Sequence, residues 1–312
     1  MPELPEVETV RRQLEPAIVG RCIEAAEVLD ERWTQPMPPS EVERALAGRT
    51  IRGVGRRGKY LILSLDDGSA LVMHLRMTGN LLLCLSQRDG QAPLGSMELG
   101  ADDGPQLERA VSEPRHVRAR MSLDDGSELL FADVRRFGQG LVLRGRELEG
   151  YLAARLGLEP LSEALTAQEI ARLAAGRRAP LKSFLLDQIG IAGIGNIYAD
   201  EALHRAKLHP LSPAGSLKPG DCERLRAGIV AALEAGLRMG GASVDDYRDA
   251  RGGRGTMQDE FLVHTREGKP CLRCGTEITR VVVAGRSTYF CPSCQRRLRR
   301  PRRKARRRIG AR

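Results

Sequence analysis

Aromatic residues are scarce in this sequence, which has one Trp, five Tyr and five Phe among 312 residues. Aliphatic side chains must therefore fill most of any core. The chain has no run of about 18 apolar residues that would predict a membrane-spanning helix, and its acidic start MPELPEVETV is unlike a secretory signal peptide. Cys22, Cys84 and Cys222 are scattered and odd in number, which is typical of thiols in a reducing compartment. We therefore expect a cytoplasmic protein without membrane association.

Acidic residues are absent from the C-terminal segment. Residues 296–312 contain ten Arg and one Lys, whereas the whole chain has a net charge of only +10, so the remaining 295 residues sum to −1. A basic run of this kind is typical of a disordered tail that binds polyanions through counterion release. A solubilising tail without a specific partner is an equally good interpretation.

Hydrophobic patterns divide the chain into regions. Apolar residues at spacings of three and four predict a helix over 5–19, and residues 166–250 are predicted to be helical. Residues 50–143 alternate as strands, with two hairpins around the DDG turns at 66–68 and 124–126, which predicts antiparallel, sandwich-like sheets. We expect a β-rich domain (1–155) with a loop insertion at 86–112, a hinge (156–162), a helical domain (163–267), a cysteine-bearing module (268–297) and the basic tail (298–312).

Four cysteines near the C-terminus form two C-x-x-C pairs. Cys271 and Cys274 are separated from Cys291 and Cys294 by sixteen residues, a spacing that brings four thiolates around one structural zinc ion. The strand-like residues between the pairs predict a β-hairpin zinc finger with Arg286 near its tip. Three interpretations of this module stay open. Arg286 could contact a DNA phosphate, the module could be purely structural, or the cysteines could form a redox-active pair.

A glycine-rich loop joins two predicted helices. Gly190, Gly193 and Gly195 allow backbone N–H groups to approach an anion, and the next helix begins at its positive end. We expect Asn196 to cap that helix. The basic residues Arg177, Arg178 and Lys182 precede the loop, which favours an anion site over a plain helical hairpin.

The second residue offers a possible nucleophile. Removal of Met1 would expose the secondary amine of Pro2, which attacks an aldehyde-like carbon to give an iminium ion directly. An α-amino group has a pKa of about 8, so a useful fraction is uncharged near neutral pH. Glu3 is close enough to act as a general acid. An ordinary acidic helix start is the alternative interpretation.

Four motifs, in consistent order over residues 2–295, carry a family resemblance: PELPEVETVRR, DVRRFG, GIGNIYADEAL and CLRCG…FCPSCQ. The chain resembles the bacterial formamidopyrimidine-DNA glycosylases, which are bifunctional 8-oxoguanine repair enzymes. The resemblance implies a multidomain α+β fold with an N-terminal antiparallel β-sandwich and flanking helices, a helix–two-turns–helix domain with a lesion-capping loop, and a C-terminal β-hairpin zinc finger. It implies that the protein excises 8-oxoguanine and formamidopyrimidines through a Schiff base and then cleaves the strand by β,δ-elimination. It also implies that the protein acts as a monomer and that its partner is damaged double-stranded DNA.

The resemblance also assigns catalytic roles. Pro2 would attack C1′ of a flipped-out nucleotide, and Glu3 would protonate the opening sugar or the departing group. Lys59 would act near β-elimination, and Arg286 would act in δ-elimination. Arg52, Arg56 and Arg57 form an acid-free run beside Lys59, which independently predicts a track for DNA phosphates.

Other positions match the DNA-binding residues of the family. Met77, Arg135 and Phe137 would fill the gap left by the flipped base. Asn196 with the loop amides would clamp a phosphate, and Lys182 would lie near the lesion.

Two further DNA contacts are expected at His116 and at Arg177 beside the loop. The chain departs from the family at Pro114, where a histidine is common, and at His264-Thr265, where Tyr-Gly is usual. Two alternatives stay open. One is an endonuclease VIII-like enzyme for oxidised pyrimidines, which the start PELPE disfavours, and the other is a noncatalytic zinc-finger protein that binds nucleic acid.

Overall fold

The computed structural model describes residues 1–85, 114–244 and 246–298. The expected loop insertion at 86–112 and the basic tail beyond Leu298 lie outside the described residues. Eight strands form one antiparallel sheet: β1 (Cys22–Val28), β2 (Arg49–Arg57), β3 (Tyr60–Leu65), β4 (Ser69–His74), β5 (Gly79–Cys84), β6 (Val117–Leu123), β7 (Glu128–Asp133) and β8 (Gln139–Arg144).

The sheet consists of two four-stranded halves. The strand order is β5-β7-β6-β1-β2-β3-β4-β8, and β1 and β2 pair at only two positions. Apolar side chains from both halves share one core with the first helix, α1 (Leu4–Ile18). The two halves therefore enclose a common interior, and the expected antiparallel β-sandwich is confirmed.

Both predicted hairpins are confirmed, and the same chemistry closes them. β3 and β4 are joined at Asp66–Gly68, and β6 and β7 at Asp124–Gly126. In each turn the aspartate Oδ1 (Asp67 or Asp125) accepts bonds from the backbone N–H and the hydroxyl of the following serine. Because two separate DDGS segments close in the same way, the likeness of the hairpins reflects one turn solution used twice.

The C-terminal half of the described chain is mainly helical. Its helices are α4 (Ala167–Ala174), α5 (Leu181–Leu186), α6 (Asn196–Arg205) and α7 (Pro219–Arg238). The N-terminal region adds α2 (Pro39–Leu46) and α3 (Gly145–Ala153), which the sequence patterns had missed together with β1. No helix in the described residues is long and apolar enough to cross a membrane.

The predicted helix up to residue 250 is wrong after Arg238. Gly240 and Gly241 both have positive φ angles, +67° and +88°, which end the helix. The chain then runs along α1, where the backbone N–H of Ala242 donates to Glu6 (2.8 Å) and that of Ala250 donates to Gln13 (2.9 Å). Tertiary hydrogen bonds to α1 thus replace helical ones.

A small hairpin ends the described chain. β9 (Thr279–Val283) and β10 (Arg286–Phe290) are joined by Ala284 and Gly285, both with positive φ angles, as a two-residue hairpin turn requires. The four cysteines of the two C-x-x-C pairs flank this hairpin. Arg286 is the first residue of β10, next to the turn, which agrees with its predicted place near the tip.

Helix α1 belongs to both large cores. Its first residue, Leu4, packs in the helical core, whereas Val7, Val10, Leu14 and Ile18 pack in the sandwich core. The start of the chain is therefore held in the junction between the two cores.

We expect Leu4→Ala and Leu14→Ala to lower the free energy of unfolding by similar amounts, about 2–5 kcal/mol each, because both side chains are fully buried. Amide hydrogen exchange distinguishes them. Leu4→Ala should accelerate exchange in α6 and α7, and Leu14→Ala should accelerate it in the sandwich strands. The same exchange pattern in both variants would contradict the two-core role of α1.

Candidate active site

Glu3 is buried where the two cores meet. Its carboxylate accepts hydrogen bonds from the backbone N–H groups of Gly195 (2.7 Å), Ile197 (2.9 Å) and Tyr198 (3.4 Å) at the beginning of α6. The positive end of the helix dipole and the free N–H groups both favour an anion there. Pro2, also buried, directly precedes this fixed carboxylate.

The glycine-rich loop is an anion cradle, as predicted, but the anion that it holds belongs to the chain itself. A Cβ at Gly195 would lie 2.2 Å from Cδ of Glu3, and one at Gly193 would lie 2.6 Å from Cδ1 of Leu4. The N–H group of Gly195 is occupied by Glu3 and that of Gly193 by the side chain of Gln188 (2.9 Å), so the predicted role of these loop amides in holding a DNA phosphate is corrected. Glycine is required here because the carboxylate lies against the backbone.

The predicted cap by Asn196 is wrong. Gly195 is the N-cap residue, and Asn196 is the first residue of α6 with no capping bond from its side chain. Glu3 satisfies the helix N–H groups instead. The Asn196 Nδ2 group donates to the backbone oxygen of Ser287 (3.1 Å) and thereby ties α6 to the hairpin.

Glu6 completes the interior of the site, and the sequence analysis had missed it. Its carboxylate accepts the N–H of Glu3 (2.8 Å), the hydroxyl of Tyr198 (2.7 Å) and the N–H of Ala242 (2.8 Å). Burial, together with the negative charge of Glu3, raises the pKa of Glu6. The spacing of three residues from Glu3 resembles a capping box and could have indicated it.

Lys59 is brought to the same place. It lies in the two-residue β2–β3 turn, is buried, and is within electrostatic reach of Glu3, Glu6 and Arg286. Burial lowers the pKa of Lys59, and Arg286 lowers it further, whereas the two carboxylates act in the opposite direction. The structure thus places Lys59 near Glu3, which directly follows Pro2, and brings Arg286 of the finger within electrostatic reach of Lys59.

The predicted phosphate track at the arginines before Lys59 is corrected at two of its three positions. The guanidinium group of Arg56 bonds Glu8 (3.0 Å) and Glu159 (3.1 Å), and that of Arg57 bonds Glu159 (2.8 Å). Glu159 also accepts the N–H of Gly58 (2.5 Å). Both guanidinium groups thus have acidic partners within the protein, and these bonds fix the Lys59 turn to the segment that precedes the helical region.

Two neighbouring loops of the sandwich present large side chains to solvent. Met77 follows β4 and is 39% exposed, and Phe137 precedes β8 and is 51% exposed. The guanidinium group of Arg135 lies 5.0 Å from the centre of the Phe137 ring.

Asp133, at the end of β7, shapes the second of these loops and was not anticipated. Its two carboxylate oxygens accept the N–H groups of Arg135 (3.1 Å), Phe137 (2.9 Å) and Gly138 (2.6 Å). It also accepts the hydroxyl of Thr78, which in turn accepts the N–H of Arg135 (3.1 Å). The loops that carry Met77 and Phe137 are therefore locked together by one buried carboxylate.

His74, also unanticipated, supports the Met77 turn. Its Nδ1 atom accepts the N–H of Arg76 (2.9 Å), a residue with a positive φ angle of 55°. Burial, with the charges of Arg76 and Lys59, lowers the pKa of His74 to about 3. The ring is consequently neutral near pH 7 and carries its proton on Nε2.

The remaining predicted DNA contacts differ in exposure. Lys182 has no exposed side-chain surface, and its ammonium group donates to Asp200 (2.5 Å) and to the backbone oxygen of Asn196 (2.9 Å). It therefore links α5 to α6 instead of lying at the surface. Arg177 is partly exposed and pairs with Asp187 (2.8 Å), and His116 lies in a short turn directly before β6.

The four cysteines have the geometry of a zinc site. All four Sγ atoms lie within 4.8 Å of one another, with 4.0 Å between Cys271 and Cys294 and 3.5 Å between Cys274 and Cys291. A tetrahedral zinc ion with Zn–S distances of about 2.3 Å separates its sulfur ligands by about 3.8 Å. The module has only a small apolar core, so metal coordination supplies its folding energy.

Three family models match the chain, one for each structural region. They are the formamidopyrimidine-DNA glycosylase N-terminal domain over residues 1–140, the H2TH domain of the same enzymes over 156–248, and the zinc finger found in FPG and IleRS over 268–297. The chain belongs to the formamidopyrimidine-DNA glycosylase family. The finger accordingly binds one structural zinc ion through Cys271, Cys274, Cys291 and Cys294.

Similar proteins extend over the same length. The formamidopyrimidine-DNA glycosylase of Chloroflexus aurantiacus is 44% identical over 297 residues, which cover 95% of this chain and 98% of that protein. The Roseiflexus enzyme is 43% identical and is covered completely. Lactococcus lactis FPG bound to Fapy-dG-containing DNA superposes on this chain with a TM-score of 0.79. Its complex with abasic-site DNA superposes with a TM-score of 0.80. Both are 34% identical to this chain, and each match covers 95% of this chain and 100% of that chain.

We expect Gly195→Ala to lower the free energy of unfolding by about 3 kcal/mol or more, because the new methyl group displaces the Glu3 carboxylate from its N–H donors. Gly190→Ala is the matched control, since its nearest atom, the Asp187 oxygen, lies at an ordinary 3.5 Å. Its unfolding free energy should stay within about 1 kcal/mol of the parent value. Denaturant titration measures both, and equal losses would contradict a specific contact with Glu3.

We expect Cys274→Ser, or zinc removal by a chelator, to unfold residues 268–297 while the sandwich keeps its structure. The loss of one thiolate removes much of the metal-binding energy that folds the finger. Amide resonances of the finger should collapse to unfolded positions. Cys22→Ser, in β1, is the control and should leave the finger resonances in place; an intact finger in Cys274→Ser would refute the role of the metal.

Proposed function

We propose that the protein is a bifunctional DNA glycosylase and AP lyase that removes oxidised purines, 8-oxoguanine and formamidopyrimidines, from damaged double-stranded DNA. The observation that carries the proposal is the Glu3 carboxylate, fixed by three N–H groups next to Pro2 and within reach of Lys59. The relatives bear the name of this activity, and Lactococcus FPG binds Fapy-dG-containing DNA.

The reaction begins at Pro2 once Met1 has been removed. The uncharged amine attacks C1′ of the flipped-out nucleotide, so that an N–C1′ bond forms as the bond from C1′ to the base breaks, and the base leaves with a proton. The Glu3 carboxylate takes the proton that the Pro2 nitrogen loses as the N–C1′ bond forms and passes it to the sugar ring oxygen as the ring opens, while the base takes its proton from water. The nitrogen lone pair then completes the iminium ion. Because Glu3 cannot rotate away from α6, its position relative to Pro2 is set before DNA binds.

Strand cleavage follows from the iminium ion. Removal of a C2′ proton expels the 3′ phosphate in β-elimination, and a second elimination expels the 5′ phosphate. Lys59 supports the first elimination from its buried position, where its lowered pKa favours proton exchange. Arg286 reaches the same position from the finger and supports the second.

The surface around the site accommodates the duplex. Met77 and Phe137 replace the stacking lost on base flipping, and Arg135, held beside Phe137, pairs with the orphaned base. His116, Arg177 and Asn196 contact the backbone of the DNA.

Lys182 acts on the DNA only indirectly, because it is completely buried and orients α6 through Asn196 and Asp200.

The regions of the chain divide the proposed function between them. Residues 1–155 form the catalytic sandwich and residues 156–162 form the hinge. Residues 163–267 form the helix–two-turns–helix domain, and residues 268–297 form the finger. The protein acts as a monomer at the nucleoid in the cytoplasm.

Borohydride trapping tests the nucleophile. Mature protein mixed with an 8-oxoguanine duplex should give a covalent protein–DNA adduct after reduction, and Pro2→Gly should reduce base excision by about 100-fold or more while duplex affinity stays nearly unchanged. Pro16→Gly, at the far end of α1, is the control and should trap like the parent protein. An undiminished adduct in a chain that retains Met1 would refute the assignment.

The same assay separates the alternatives. Parallel duplexes with 8-oxoguanine, formamidopyrimidine or thymine glycol should show preferential excision of the two purine lesions. Preference for thymine glycol would favour the endonuclease VIII-like alternative, which is relevant because Lactococcus FPG also binds oxidised-pyrimidine-containing DNA. Binding without any trapped adduct would favour the noncatalytic alternative.

A further inference from the structure

The far end of α6 contacts the zinc centre through a buried histidine. The Nε2 atom of His204 lies 3.5 Å from the Sγ atom of Cys271, and both side chains are almost completely buried. A zinc-bound thiolate has no proton to donate, so the proton between the two atoms belongs to the imidazole. His204 is therefore the donor of an N–H···S hydrogen bond.

The contact with the sulfur of Cys271 explains why a polar histidine ring is buried at position 204. Within the described residues, Nδ1 of His204 is buried and has no hydrogen-bond partner. A phenylalanine would fill a similar space without burying an unsatisfied polar atom, which costs about 1–3 kcal/mol. The contact with Cys271 offsets this cost.

The charge of the metal site explains what the hydrogen bond contributes. A zinc ion with four thiolates carries a net charge of −2. Cys274 is exposed to water, but Cys271 and Cys291 face the protein interior. Buried anionic sulfur needs donors in place of water. Cys291 Sγ receives the N–H of Cys294 (3.3 Å), and Cys271 receives His204.

Two further hydrogen bonds join the metal-binding loops to the C-terminal end of α6 and to the residues directly after it. Arg273, between the first two cysteines, donates to the backbone oxygen of His204 (3.2 Å). Gln295 accepts the N–H of Cys291 (2.8 Å) and donates to the backbone oxygen of Leu208 (2.9 Å). The C-terminal end of α6 and the residues directly after it are thus bonded to both metal-binding loops, while the N-terminal end of α6 is bonded to Glu3.

We propose that His204 donates a hydrogen bond to the zinc-bound sulfur of Cys271, which makes helix α6 part of the metal site. The metal then holds one end of the helix whose other end positions Glu3. His204 is a positioning residue, since it touches a metal ligand and no reacting atom.

Zinc affinity of the full-length protein, measured by competition with a chromogenic chelator, tests the proposal. We expect His204→Phe to weaken zinc binding by about 10–100-fold, the range typical for loss of a hydrogen bond to a metal ligand. His204→Gln, which restores an N–H of similar reach, should recover most of the affinity. His209→Phe is the matched control because it removes an imidazole that packs against Phe290 of the finger and touches no cysteine; it should bind zinc like the parent protein.

A direct measurement does not depend on any variant. In the full-length protein loaded with ¹¹³Cd, we expect scalar coupling between the imidazole Hε2 proton of His204 and the metal, transmitted through Cys271 Sγ. Absence of this coupling in folded, cadmium-loaded protein would overturn the proposal, as would parental zinc affinity in His204→Phe or equal weakening in His209→Phe. Failure of the proposed glycosylase activity alone, with the coupling present, would leave the hydrogen bond from His204 to Cys271 unaffected.

Discussion

The structure depends on one carboxylate at one helix terminus. Glu3 satisfies three backbone N–H groups at the beginning of α6, and this contact joins the start of the chain to a loop about 190 residues later. It forces the first residues into the junction of two cores, requires glycine at position 195, and fixes the group beside Pro2. If Glu3 were instead exposed at the end of an ordinary surface helix, its position relative to Lys59 and to the finger would not be fixed.

The parts of the fold that rest on neighbouring residues could be predicted from the sequence. The cysteine spacing indicated a zinc finger, and the apolar periodicity indicated α1 and most of the helical region. The DDG segments indicated two hairpins because Asp67 and Asp125 bond groups only two residues away. In each case the determining contact lies within a few positions along the chain, so a local pattern contains it.

The errors share one physical cause, which is competition from distant partners. Asn196 has the chemistry of a cap, but Glu3 takes the helix N–H groups because a buried carboxylate is the stronger acceptor. Arg56 and Arg57 are basic and close together, yet Glu8 and Glu159 neutralise them. Composition alone would assign Met77 and Phe137 to a core, and only the family resemblance indicated their exposure. Asp133 gave no sequence signal for the four hydrogen bonds that shape its loop.

The glycines around the two buried carboxylates have a consequence for how such a site can change over evolutionary time. Gly193, Gly195 and Gly241 each place backbone where a Cβ would meet Leu4, Glu3 or Glu6 at less than 3 Å. Because backbone atoms line the two carboxylates at these positions, a substitution there adds a side chain that clashes with the carboxylate or with Leu4. Such a substitution therefore destabilises the fold before it can change the substrate preference. Under the proposed function, adaptation to other lesions falls to exposed side chains such as those at positions 77, 135 and 137, while the buried chemical centre stays constant.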